Sequence, residues 1–390
     1  MYRYTGTMPS FSLDMPGSVA FGPGELRRLP DFARRFGKRL FIVTGSTWLE
    51  RSGRLAGITS LLGDAVVERF ACPAGEPTTA TVEEARRCAR AFSPNAIVGV
   101  GGGSVMDTAK ALSGVLGMAE PIERFLEGAA DACELAGPGL PWIAVPTTAG
   151  TGAEATKNAV LRTALRPGLK RSMRSRFLLA CSVVVDPDLT LDLPLEVTGT
   201  GGLDALTQLI ESFVSTKSNT FVRSLVRGAF LPMLDALERI PGAPSEIAHR
   251  TAASYGAFVS GIALANAGLG AAHGFAAGVG GLYEIPHGLL CAVFLPHVLE
   301  ANAGVIRRLI AELAAGRNGN ADPVEWLAGT VRDLLARYGL PSDLRGRGVP
   351  LQRVPDIAAR SSGSSMKGNP RELSRDEQER ILSRVIGGVP

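Results

Sequence analysis

The sequence is short of charged, aromatic and cysteine residues, and each shortage excludes a class of protein. Only 20% of the 390 residues are charged while 45% are hydrophobic, so the chain can bury a large core and disorder is excluded. The 41 basic and 37 acidic residues are interspersed, and aromatic residues make up only 6%. Because long basic runs and stacking rings are both scarce, no nucleic acid partner is expected.

Cysteines and long hydrophobic runs are equally scarce. The five cysteines are scattered and lack a C-x-x-C pair, which argues against a disulfide framework and favours a reducing compartment. No stretch reaches the roughly 18 apolar residues that cross a bilayer, and residues 1–15 contain no apolar segment typical of a signal peptide. The sequence therefore predicts a cytoplasmic protein with no membrane partner.

The pattern of apolar residues divides the chain into two domains. Up to residue 189, short apolar runs at 39–43, 96–100, 142–145 and 183–185 alternate with the amphipathic stretches 81–92 and 105–116. This alternation predicts a Rossmann-like α/β domain with a parallel sheet. From residue 190 to 390, helical spacing replaces the β-branched runs, as in 203–214, 223–239 and 246–264, which predicts an all-α domain.

Three consecutive glycines join one predicted strand directly to a helix. Gly101, Gly102 and Gly103 precede Ser104 in this segment. Glycines here let backbone N–H groups at a helix N-terminus approach an anion, so they are candidate contacts for a cofactor phosphate. The alternative is a tight turn with Ser104 as the N-cap. The pattern is not the G-x-G-x-x-G of the usual dinucleotide fingerprint.

A second loop of small residues, Pro146–Thr156, follows another predicted strand. Thr147, Thr148 and Thr151 offer hydroxyl groups in it, although a simple polar connection is the alternative. Two such loops in one open sheet favour a dinucleotide over a lone phosphate. After the first strand, Gly45 and Ser46 stand where an acidic residue would repel a 2′-phosphate, so NADPH should be tolerated or preferred.

Three of the four histidines, His273, His287 and His297, fall within 25 residues. Upstream, Asp204 and Gln208 lie four residues apart and share one face of a predicted helix. An aspartate, a glutamine and two histidines could surround one divalent cation. Each could instead be structural, as a helix cap or a buried histidine, and that interpretation is kept for His297.

Five motifs in this order resemble the iron-containing (group III) alcohol dehydrogenases. They are Gly101–Lys110, Pro146–Glu154, Asp186–Thr190, Asp204–Leu206 and Pro286–Gly288, and the resemblance covers nearly the whole chain. It implies an N-terminal dinucleotide-binding domain and a helical metal domain, an architecture shared with dehydroquinate synthase. It also implies a cleft between the domains and a homodimer.

The resemblance also implies which residues carry the chemistry. Asp204, His273 and His287 match the catalytic metal ligands, whereas the fourth ligand position holds Gln208 in place of histidine. Because an amide oxygen is a poorer ligand than imidazole, this difference leaves open whether the metal is Fe²⁺ or Zn²⁺. A further family histidine, associated with proton transfer, is Ala277 here. Asp107 and Lys170 lie in segments that look like the family's cofactor surroundings, and an ordinary solvated charge is the alternative for both.

The function that these features predict is hydride transfer between NAD(P)H and a small alcohol or aldehyde, with a divalent metal polarising the oxygen. One alternative is a metal-independent reductase similar to maleylacetate reductase. A second is a metal-dependent lyase or cyclase on the same scaffold. A third is a protein that only binds nucleotide, against which the retained Asp204, His273 and His287 argue.

Overall fold

The computed structural model describes residues 10–45, 47–129, 131–163 and 170–388. In this described part of the chain, strands lie only in the first half, and the second half is helical. The strands are β1 (Ser18–Phe21), β2 (Arg39–Thr44), β3 (Val66–Ala71), β4 (Ala96–Gly101), β5 (Trp142–Pro146), β6 (Asn158–Arg162), β7 (Lys170–Arg174) and β8 (Ser182–Val185).

Six strands form one parallel sheet in the order β1-β8-β5-β4-β2-β3, and β6 and β7 form a separate antiparallel pair. Both faces of the sheet are buried, because alternate side chains of a strand enter different hydrophobic clusters. In β2, for example, Leu40 and Ile42 pack on one face while Phe41 and Val43 pack on the other. Strands with a buried residue at every position explain the continuous apolar runs in the sequence.

Helices cover the sheet and connect its strands. These are α1 (Leu29–Arg34), α2 (Trp48–Arg51), α3 (Arg54–Leu61), α4 (Thr79–Phe92) and α5 (Gly103–Val115). Strand β2 leads through α2 and α3 to β3 on one side, whereas its neighbour β4 leads through α5 to β5 on the other. This reversal opens a crevice at the carboxyl ends of β2 and β4, where α/β proteins bind ligands.

The helical half has a hydrophobic core of its own. It comprises α6 (Leu195–Val214), α7 (Thr220–Arg239), α8 (Ile247–Ala267), α9 (Ala271–Gly280), α10 (His287–Ala314), α11 (Pro323–Arg337), α12 (Val354–Arg360) and α13 (Arg375–Gly387). Helix α10 is long and apolar enough to cross a bilayer, and α8 with α9 passes the same test despite a 96° bend. However, 67% of the most apolar window of α10 is buried within the protein, as in the core helix of a globular domain.

The predicted fold class is confirmed, with a parallel sheet first and helices after it. Four apolar runs predict β2, β4, β5 and β8 to within two residues, but they give no signal for β3, β6 and β7. Those three strands have exposed faces and polar residues, so they lack the continuous apolar run of a buried parallel strand. The predicted division after residue 189 lies between β8 and α6, and as a domain boundary it stays a prediction.

Candidate metal and cofactor site

Three of the predicted metal ligands come together from three helices. Asp204 lies on α6, His273 on α9, and His287 is the first residue of α10. The Oδ1 atom of Asp204 is 3.2 Å from Nε2 of His273, and the two imidazole rings have centroids 5.5 Å apart. Asp204 and His273 are buried, whereas His287 is half-buried and thus open to a ligand.

A buried carboxylate, Glu211, fixes the orientation of His273. One oxygen of Glu211 lies 2.7 Å from Nδ1 of His273, and the other accepts a hydrogen bond from the backbone N–H of Ala272. With Nδ1 held by a carboxylate, Nε2 is the nitrogen that faces Asp204, as is usual for metal-binding histidines. The resemblance does not point to Glu211, although its position seven residues after Asp204 on one helix face is a usable signal.

The start of α10 is pressed against α6 at a glycine. A Cβ atom on Gly288 would lie 2.1 Å from the carbonyl oxygen of Thr200 and 3.1 Å from Cβ of Asp204. Only a residue without a side chain permits this approach, which brings His287 next to Asp204. In the Pro286-His287-Gly288 sequence, the glycine thus has a steric role, and the histidine is a candidate metal ligand.

The structure adds Cys291, a residue that the sequence analysis does not single out. One ligand atom from each of Asp204, His273, His287 and Cys291 lies within 4.8 Å of every other. The Sγ atom of Cys291 is 3.6 Å from Nε2 of His287. A carboxylate, two imidazoles and a thiol are ligands that zinc and related divalent ions accept, so the group fits a metal ion.

Gln208, the predicted fourth ligand, has both amide atoms engaged with protein groups. Its Nε2 donates to the carbonyl oxygen of Thr151 at 3.3 Å, and its Oε1 accepts from the hydroxyl of Ser260 at 2.8 Å. These bonds tie α6 to the second loop and to α8. A metal-ligand role for Gln208 stays a prediction.

Burial and neighbouring charges set the protonation of this cluster. Burial lowers the pKa of His287 to about 4, so its imidazole is neutral near pH 7, as a metal ligand must be. Burial alone would raise the pKa of Asp204, but hydrogen bonding to His273 and the nearby histidines outweigh it and lower that pKa. Burial raises the pKa of the Cys291 thiol to about 12.

The two predicted cofactor loops face each other at the carboxyl edge of the sheet. A Cβ on Gly102 would lie 3.3 Å from Thr148, and one on Gly103 would lie 2.9 Å from Thr151. Helix α5 begins at Gly103 with Gly102 as its cap, so the alternative role of Ser104 as N-cap is wrong, and Ser104 lies in the first turn. The helix N-terminus therefore lies beside the second loop, where its backbone N–H groups favour an anion.

Thr147 and Gly101 are joined by a backbone hydrogen bond of 2.9 Å, which aligns the two loops. The second loop then meets α8 backbone to backbone. Gly152 has a left-handed conformation (φ 60°), and a Cβ on Gly261 of α8 would lie 2.1 Å from the carbonyl oxygen of Gly152. The contact fixes the second loop against the helical half of the protein.

Asp107 belongs to a buried charged group beneath the first loop. It accepts a hydrogen bond from the backbone N–H of Val160 and lies 3.5 Å from the ammonium of Lys110. Lys110 is fully buried and donates to Thr156. Burial raises the pKa of the neighbouring carboxyl Glu154 to about 7, although Lys110 opposes this. The contacts of Asp107 with protein groups are those of a structural residue, and its predicted cofactor contact stays untested.

Lys170 lies close enough to His287 for its charge to act on that imidazole. It forms an ion pair with Glu76, which also pairs with Arg162. A Cβ on Gly280 of α9 would lie 3.2 Å from the ammonium of Lys170. The charge of Lys170 contributes to the lowered pKa of His287. A cofactor contact for Lys170 remains a prediction, and its position at the cleft is equally suited to substrate.

Gly45 follows β2 at the crevice, whereas Ser46 lies outside the described residues. A Cβ on Gly45 would meet only a methyl group of Val105, at 3.9 Å, so this position has open space beside it. Nearby, Arg69 donates to the hydroxyl of Thr44 and pairs with Glu50. A basic group thus lies near the end of β2, where the 2′ position of an adenosine would be recognised.

Comparison with known proteins gives matches over both halves of the chain. The model of the iron-containing alcohol dehydrogenase family matches residues 16–187, and that of the C-terminal domain of the Fe-containing alcohol dehydrogenase family matches residues 198–386. Together the two matches exceed half of the chain. The lyase or cyclase alternative receives no support from these models.

Individual relatives resemble the chain along nearly its full length. The NADPH-dependent butanol dehydrogenase of Clostridium saccharobutylicum is 28% identical and covers 96% of this chain and 98% of its own. A maleylacetate reductase of Sphingobium indicum is also 28% identical, covering 96% and 97%. Among solved structures, a 1,3-propanediol oxidoreductase superposes with a TM-score of 0.90 at 26% identity, covering 97% of this chain and 100% of its own.

Proposed function

Because the chain belongs to the iron-containing alcohol dehydrogenase family, and so is an oxidoreductase acting on CH–OH groups, we propose that it interconverts a small alcohol and its aldehyde with NAD(P)(H) at a divalent metal site. Asp204, His273 and His287 are the proposed metal ligands. The single observation that carries the proposal is the convergence of their ligand atoms from three separate helices, within 4.8 Å of one another.

When bound, the nicotinamide supplies or accepts the hydride and the divalent cation polarises the substrate oxygen. The chain's own residues prepare this chemistry. Glu211 orients His273, and the contact at Gly288 places His287 beside Asp204. The facing loops around Gly102 and Thr148 hold the cofactor through backbone N–H groups and hydroxyls.

Proton transfer needs a route that avoids position 277. Ala277 lies on α9 four residues after His273 and is exposed, and its methyl side chain has no acidic or basic group that could transfer a proton. Water in the cleft or a hydroxyl group of the cofactor ribose therefore moves the proton to or from the substrate oxygen.

The proposed substrate is small and uncharged. Lys170, whose charge acts on His287, is paired with Glu76, and Glu76 also pairs with Arg162, so neither cation is isolated and awaiting a carboxylate. This pairing disfavours the dicarboxylate substrate that a maleylacetate reductase requires.

We further propose that NADPH is accepted at least as well as NADH. The open space at Gly45, with no acidic side chain at that position, favours a 2′-phosphate, whereas the charge of the nearby Arg69 is balanced by Glu50. The relative from Clostridium saccharobutylicum is named as NADPH-dependent. The free state of all five cysteines suits the proposed cytoplasmic location, and the homodimer is proposed from the family resemblance.

The test combines metal analysis with turnover. Protein purified without added metal is assayed for oxidation of NADPH and NADH with short aldehydes, before and after dialysis against a chelator. We expect stoichiometric metal and activity that falls on chelation and returns on adding zinc or iron. Undiminished turnover in metal-free protein would show that protein hydrogen bonds alone polarise the carbonyl.

A matched pair of histidine variants locates the site. His287→Gln should abolish metal-dependent turnover, because it removes a ligand. His297→Gln is the control, since His297 lies on the same helix but faces Glu300 at 4.0 Å. Equal losses of activity in both variants would contradict the assignment of His287.

A further inference from the structure

We infer that Cys291 is the fourth protein ligand of the metal and replaces, from a different helix, the histidine that is missing at Gln208. The inference rests on the proposed metal site and extends its ligand set. It gives the cation a sulfur ligand in place of a third imidazole.

The position of Cys291 on its helix supports this role. Cys291 lies four residues after His287 on α10, so both side chains project from one face of the helix, one turn apart. This face is directed at Asp204 on α6 and His273 on α9, because the ligand atoms of all four residues lie within 4.8 Å of one another. One helix end therefore supplies two ligand atoms to the same point.

Two of the distances between ligand atoms match those of a tetrahedral zinc site. Zinc bonds of about 2.3 Å to sulfur and about 2.0–2.1 Å to nitrogen or oxygen place S and N about 3.5 Å apart, and O and N about 3.3 Å apart. The observed distances are 3.6 Å between Cys291 Sγ and His287 Nε2, and 3.2 Å between Asp204 Oδ1 and His273 Nε2. Two edges of the required tetrahedron are already present.

The bonds made by Gln208 strengthen the argument. Its amide is held between Thr151 and Ser260, which serves a structural purpose. The thiol of Cys291 is fully buried, and the polar atoms described around it are those of the cluster itself. Cys291 packs in the apolar core of the helical half, as an ordinary core cysteine does, but its sulfur also lies beside a carboxylate and two imidazoles. A catalytic zinc ion can expand to five ligands in the transition state, so binding of a substrate oxygen is compatible with the thiolate.

X-ray absorption at the zinc edge of the zinc-loaded, full-length protein tests the inference directly. We expect one sulfur neighbour at about 2.3 Å together with nitrogen or oxygen neighbours at about 2.0–2.1 Å. In Cys291→Ser the sulfur neighbour should disappear, and zinc affinity in a chelator competition should fall by at least about 10-fold, as expected for a disturbed ligand set. Cys72→Ser is the matched control, because Cys72 is also buried but lies after β3 in the sheet domain.

A sulfur neighbour that is lost in Cys291→Ser and kept in Cys72→Ser would support the inference. Bound zinc with only nitrogen and oxygen neighbours in the unmodified protein would overturn it, whether or not the variants fold. If such a protein still shows chelator-sensitive aldehyde reduction, the proposed function survives and only the thiolate ligand fails. Failure to bind zinc, with turnover unaffected by chelation, would overturn the inference and the metal-assisted mechanism together.

Discussion

The carboxyl of Glu154 should make the sheet domain less stable as the pH rises towards neutrality. Glu154 is buried in the second cofactor loop, and burial raises its pKa from 4.5 to about 7. Between these two pH values the folded state keeps a proton that the unfolded state has released, so the free energy of unfolding falls as pH rises. Each pKa unit is worth about 1.4 kcal/mol, so the full effect is about 3 kcal/mol.

Glu154→Gln removes this titration while keeping the size and hydrogen-bonding capacity of the protonated carboxyl. The difference in unfolding free energy between the two proteins isolates the contribution of Glu154, because other titrating groups cancel. It should shift by about 3 kcal/mol in favour of the variant between pH 4.5 and pH 7. Urea unfolding followed by the fluorescence of Trp48 and Trp142, both in the sheet domain, measures it.

A difference that stays constant across this pH range would refute the reasoning. It would mean that the ammonium of Lys110, which opposes the effect of burial, holds Glu154 ionised in the folded protein. A shift of the opposite sign would mean that Glu154 gains more from its partners than burial costs it.

Three further variants test other parts of the site. Glu211→Gln should lower zinc affinity about 10- to 100-fold by releasing His273 from its carboxylate, and calorimetric titration giving an unchanged affinity would contradict this. Gly288→Ala places a methyl group 2.1 Å from the carbonyl oxygen of Thr200, so kcat should fall about 100-fold from misplaced ligands while circular dichroism is unchanged. Gly45→Asp, which the open space accommodates, should raise KM for NADPH at least about 10-fold, because its carboxylate repels the 2′-phosphate, and should leave KM for NADH unchanged. Equal effects on the two KM values would argue against this position as the 2′-phosphate site.

The sheet could be predicted where its strands are buried on both faces. β2 and β4 are continuous apolar runs because helices cover both of their faces. The outer strand β3 exposes Glu68 and Arg69 in part, so its pattern does not differ from that of a polar connection. Pairing of β6 with β7 depends on contacts between two antiparallel strands, and residue type alone does not encode these contacts.

The proposed metal ligands divide in the same way. Asp204, His273 and His287 stand out because such polar residues are rare among apolar neighbours and match a family pattern. Cys291 gives no such signal, since a cysteine between Leu290 and Ala292 in an apolar helix has the appearance of a core residue. Its significance arises only from three-dimensional proximity to side chains on α6 and α9.

The contact between Gly152 and Gly261 has a mechanical consequence. Side chains can change rotamer and absorb small displacements, but two main-chain segments in contact cannot. The separation between the second cofactor loop and α8 is therefore set by the stiffness of peptide groups. A larger substrate therefore cannot be accommodated by widening this contact, and any adjustment has to come from side chains elsewhere in the site.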